Sequence, residues 1–157
     1  MAPSTLNIIL VAGTSLYFSF AALLAFTDYK TGLLPDRLTL SLLWSGLIFH
    51  AITTPCQLDD AIYGAVIGYL SLWLLYWGFF WLCQREGLGY GDFKLLSAMG
   101  AWNGWQSLPI VLFVASMCGL ATFAAVRVIR HKSAKQLPFG PSLAFAGWGE
   151  FVLRLWF

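Results

Sequence analysis

Charged and strongly polar positions divide this chain into long uncharged apolar runs, which predict helices crossing a membrane near 6–26, 38–55, 60–83, 94–104, 106–126 and 138–157. Crossing hydrocarbon takes about 20 mostly apolar residues. The fourth run falls short of that. If it enters at Asp92 and turns near Asn103 and Gly104, it holds about 12 residues, so it is expected to be buried among its neighbours or beside a locally thinned bilayer. The first run, Leu6 to Phe26, has no basic stretch before it and exceeds the core of a signal peptide, so it reads as a retained span. No internal repeat, low-complexity segment or linker interrupts the pattern. The expected architecture is all-α, a polytopic membrane protein of about six transmembrane helices, the fourth one short, in a single membrane domain over residues 1–157.

Composition agrees. With 157 residues, 59% of them hydrophobic and 10% charged, and a mean hydropathy of +0.75, the chain has too little polar surface to cover a soluble globule. The net charge is only +2 and the basic residues are scattered among short loops, which argues against a nucleic-acid partner. Cys56, Cys83 and Cys118 are odd in number and widely spaced, so they indicate neither a disulfide framework nor a zinc site and read as apolar filler.

The basic residues also orient the map, because Lys and Arg accumulate in cytoplasmic loops. Lys30 and Arg37 fall in the first connection, Arg85 and Lys94 in the third, and Arg127, Arg130, Lys132 and Lys135 in the fifth. The second connection carries Asp59 and Asp60 but no base, and the fourth carries no charge. Both termini are therefore expected in the periplasm. Trp102, Trp105 and Trp156 then fall near the periplasmic boundary, while Trp73, Trp77 and Trp81 form a stripe read as helix packing.

Only seven carboxylates exist. Asp28 follows the first span, where it can pair with Lys30. Asp92 closes the run Gly87-Leu88-Gly89-Tyr90-Gly91-Asp92, where it can cap the fourth helix. The topology puts both at the same, cytoplasmic, membrane level. Two carboxyl groups that meet share a proton, and such a pair can draw a proton from water while polarising a carbonyl. The other acids read as structural. Asp36 is expected to cap the second helix and Asp59 or Asp60 the third, Glu86 to pair with nearby bases, and Glu150 to pair with Arg154 one turn away. His50 and His131 lie on opposite sides, and no ligand cluster, Walker motif or nucleophile elbow is present, so neither a catalytic metal nor a cofactor is expected.

Three stretches carry a family resemblance. Asp28-Tyr29-Lys30-Thr31-Gly32-Leu33-Leu34-Pro35-Asp36, Gly89-Tyr90-Gly91-Asp92 and Pro138-Phe139-Gly140-Pro141 resemble, in order, the motifs of type IV prepilin peptidases, the last opening that family's final helix. The resemblance implies an aspartic endopeptidase of the bacterial inner membrane that uses Asp28 and Asp92. Its expected substrate is a prepilin or pseudopilin, cut after a short basic leader at the cytoplasmic face. It further implies substrate contact at Gly89, Gly91, Pro138, Phe139, Gly140 and Pro141, the break at 138–141 leaving unpaired backbone groups along the cleft. The N-terminal zinc-binding part that full-length members use in methylation has no counterpart here, so the peptidase core alone is expected, without methyl transfer. Three other readings compete: an acid-lined proton or ion pathway, a structural partner within a secretion complex with no chemistry of its own, and a G-x-G-D protease of the preflagellin or presenilin type. Neither the identity of the pilin nor the oligomeric state is legible.

Overall fold

The computed structural model describes residues 3–84, 89–130 and 139–156. Among them lie six α-helices and no strand: α1 (Pro3–Thr31), α2 (Asp36–Thr53), α3 (Leu58–Cys83), α4 (Tyr90–Asn103), α5 (Leu108–Arg130) and α6 (Gly140–Trp156). The breaks follow local chemistry. Gly32, at φ +64°, ends α1 and Gly104, at φ +74°, ends α4, both in backbone territory that suits glycine. Thr54, at φ −139° and ψ 71°, is kept out of helical geometry by Pro55, which stops α2 and opens a short 3₁₀ turn, Pro55–Gln57.

Three helical stretches, Leu6–Thr31, Pro55–Cys83 and Trp105–Ala125, are long and apolar enough to cross a membrane. Their outward faces carry large exposed apolar residues such as Ile8, Leu74 and Phe113. Such surfaces belong in hydrocarbon, and the chain is a multi-pass membrane protein. As expected, the short fourth helix is the buried one, with eleven of its 14 residues inside the bundle.

Glycine permits that burial. A Cβ on Gly64 or Gly100 would run into the other residue's backbone carbonyl, and one on Gly68 would stand 2.8 Å from the Leu96 carbonyl oxygen. So α3 and α4 touch backbone to backbone, the small-residue packing that holds helices together in lipid. On the other side of α4, Trp102 stacks on Tyr17 of α1 (4.9 Å between ring centroids) and Phe49 of α2 (5.1 Å), and meets Phe151 of α6 edge-on (5.2 Å). Its indole N–H donates to the Leu42 carbonyl at 2.9 Å, and Gly46 leaves room for the ring.

Several sequence expectations are corrected. Trp102 is core, not boundary, and the Trp73, Trp77 and Trp81 stripe is exposed on the outside of α3 instead of packing inward. An apolar stripe marks a face, and in a bilayer that face is free to look outward. The side chain of Trp156 lies outside the described residues. All three cysteines are free and exposed, so they fill no core.

The acids are not caps either. Pro35 and Gln57 hold the N-cap positions of α2 and of α3, without side-chain cap bonds. Asp36 instead forms an ion pair with Lys94 at 2.6 Å, and Asp60 accepts the Trp105 indole N–H at 3.0 Å. Arg154 donates to the Asn103 carbonyl. Its expected ion pair with Glu150 does not occur among the described residues, and Glu86 lies outside them.

Candidate active site

α1 runs past its apolar stretch to Thr31, and so carries Asp28 in its last turn at the end of the bundle where α4 and α6 begin. There Asp28 is buried, 6% exposed. Its Oδ2 accepts the backbone N–H of Gly140 at 3.0 Å. Gly140 is the first residue of α6, and the first N–H groups of a helix have no partner within it, so they seek an acceptor, best an anionic one. A Cβ on Gly140 would collide with the Asp28 carboxyl group where it now lies. Lys30, one alternative partner for Asp28, instead sits 4.3 Å over the Phe26 ring.

Asp92 occupies the first turn of α4 and is 9% exposed. The N-cap of α4 is Gly89, and no side chain caps the helix, which removes the capping reading of Asp92. Its carboxylate lies beside the backbone of Gly89, whose missing Cβ would be 3.7 Å from Oδ2. The two acids are near enough for the charge of Asp28 to bear on Asp92. Three helix ends, of α1, α4 and α6, thus bring together two buried carboxyl groups and one backbone donor.

The connection between α1 and α2 is fastened to the same place. Leu34 packs where Gly91 has no side chain, a built Cβ lying 2.8 Å from that of Leu34, and the Asp36–Lys94 pair holds its far end. The stretch that begins at Asp28 is therefore clamped to the stretch that ends at Asp92. Among the described residues no three His, Cys, Asp or Glu side chains gather to hold a metal ion.

The model of the type IV leader peptidase family matches residues 15–124, a span that contains both aspartates. The chain belongs to this family. Over 129 residues it is 50% identical to the prepilin leader peptidase/N-methyltransferase of Escherichia coli, covering 82% of this chain and 57% of that protein. To the corresponding protein of Aeromonas hydrophila it is 52% identical over 134 residues, covering 85% and 45%. To the leader peptidase HopD of Salmonella typhimurium it is 50% identical over 133 residues, covering 83% and 86%. The chain spans about half the length of the peptidase/N-methyltransferases it matches and most of HopD. No solved structure matches.

Of the expected site residues, Asp28, Gly89, Gly91, Asp92 and Gly140 lie at this one end of the bundle, with Phe139 and Pro141 half-buried at the start of α6. Pro138 lies outside the described residues. One detail differs from expectation: the Gly140 N–H is not free to line a cleft, because Asp28 takes it. Two tyrosines stand outside that set. Tyr90 is exposed beside Gly89 and its hydroxyl lies 3.4 Å from that of Tyr76. Only the position of Tyr90 inside the glycine run pointed to it.

Proposed function

We propose that this chain is an aspartic endopeptidase of the bacterial inner membrane, which removes the short basic leader from a type IV prepilin or type II secretion pseudopilin. The observation that carries the reading is the pair of buried carboxyl groups, Asp28 and Asp92, at one end of the bundle. One carboxylate takes a proton from water as the oxygen attacks the scissile carbonyl, and the other, protonated, donates to that carbonyl. The proton then passes to the departing amine. The Gly140 N–H occupies Asp28 Oδ2 and leaves Oδ1 for water or for the shared proton.

The excess of Lys and Arg in alternate connections supports a cytoplasmic location for this end and periplasmic termini, the six helices all crossing. A prepilin leader followed by an apolar segment meets such a site as that segment sits in the bilayer. Gly89, exposed beside Asp92, and the half-buried Phe139 and Pro141 are where the substrate strand would lie. The test is incubation of the purified protein with a prepilin and sequencing of the product's N-terminus. Cleavage at the end of the leader is expected, and an intact precursor after prolonged incubation refutes the reading.

A further inference from the structure

The opposite end of the bundle holds a cavity of about 740 Å³ to which cleavage assigns no role. That volume lies within the range of small-molecule sites. Asp60 and Arg154 both line it. They flank Gly104, where a built Cβ would be 3.7 Å from both Arg154 Nη1 and Asp60 Cβ, yet no ion pair joins them among the described residues. Opposite charges that share a cavity without pairing leave room for a ligand carrying both signs.

A second feature is independent of these charges. Asn103, also in the lining, is 2% exposed, and its amide nitrogen is spent on the Tyr17 hydroxyl and the Gly147 carbonyl. Its Oδ1 is buried with no hydrogen-bond partner. A buried acceptor without a donor is costly. His50 does not supply one, since its Nε2 donates to the Trp102 carbonyl and its Nδ1 is engaged by the Thr54 hydroxyl. Among the described residues no protein group supplies that donor, which makes the Asn103 side of the cavity wall attractive to a donor-bearing ligand.

The remainder of the lining is apolar, with Leu10 on α1, Phe49 on α2, and Leu153 and Leu155 on α6. We propose that this cavity binds one phospholipid with a zwitterionic, primary-amine headgroup. The phosphate lies against Arg154, the ammonium donates to Asp60 on the side of Asn103, and the upper acyl chains lie along the leucines. The site rests on the chain's place in a bilayer and not on the chemistry of the aspartates.

Native mass spectrometry of the delipidated protein tests this, with phosphatidylethanolamine and phosphatidylglycerol of identical chains supplied at equal concentration. Phosphatidylethanolamine is expected to be retained about tenfold better, the worth of one charge-assisted hydrogen bond. Asp60→Asn, which keeps the acceptor for Trp105, should erase that preference, and Arg154→Gln, which removes the phosphate contact common to both lipids, should lower the retention of both, while the thermal midpoint of each variant in detergent stays near that of the wild type. Soluble phosphoethanolamine, which has the headgroup but no chains, should not displace the lipid. Equal retention of the two lipids by the wild type overturns the proposal, as does a preference that survives Asp60→Asn. Displacement by phosphoethanolamine at equal concentration shows a site for the free headgroup and overturns the lipid assignment.

Discussion

The Gly140 backbone N–H donates to Asp28 Oδ2 at 3.0 Å, joining the start of the last helix to the end of the first across 112 positions of sequence. Because a Cβ at Gly140 would occupy the space of the carboxyl group, Gly140→Ala is expected to turn Asp28 out of position. Misplacing a reacting group by about an ångström costs roughly 10²-fold in rate. Prepilin cleavage by the variant should fall to that extent, with its circular dichroism unchanged. Wild-type turnover would show that this contact does not position Asp28.

Asp28→Asn and Asp92→Asn each remove one member of the proposed proton-sharing pair, and each is expected to lower cleavage on the order of 10³-fold. Asp36→Asn leaves a polar side chain beside Lys94 on a partly exposed pair, and surface ion pairs contribute little. It should retain most activity. Comparable losses in all three variants would mean that the acids act through folding.

Gly64 and Gly100 set the distance between α3 and α4. Gly100→Ala forces a methyl group into the facing backbone, which has no rotamer to change, and should destabilise the bundle by about 1–3 kcal/mol. A thermal melt in detergent checks this. The melt of Gly78→Ala, at a position where a built Cβ meets nothing within 4 Å, should match that of the wild type.

The orientation is tested with topology reporters. Fusions after Arg85 or Lys132 should report cytoplasmic, and fusions near Asp59 or Gly104 periplasmic. The reverse pattern would put both aspartates on the wrong side for the proposed substrate.

Much of this was legible in residue order. Uncharged runs located the helices, the shortness of one foretold its burial, and the glycine run together with Leu34-Pro35-Asp36 singled out Asp28 and Asp92. What stayed hidden lay in partners distant in sequence. Asp36 and Asp60 look like caps because each stands at a helix start, but Lys94 and Trp105 offer them bonds from 58 and 45 positions away. Likewise Arg154 takes the Asn103 carbonyl, 51 positions off, over an acid one turn back on its own helix. Helical spacing shows which residues share a stripe. It does not say whether lipid or protein lies against it, and so the outward tryptophans of α3 read as packing.

Almost all of α4 is inside the bundle, Asp92, Ser97 and Asn103 included. A segment that shows lipid so little of itself gains little by entering the bilayer alone, so it settles there only as its neighbours close around it. Membrane helices that insert independently and then associate do so in two stages, and α4 belongs to the second. On that ordering Asp92 would join Asp28 only with the final act of assembly. A copy in which α4 had yet to settle would hold one acid without the other.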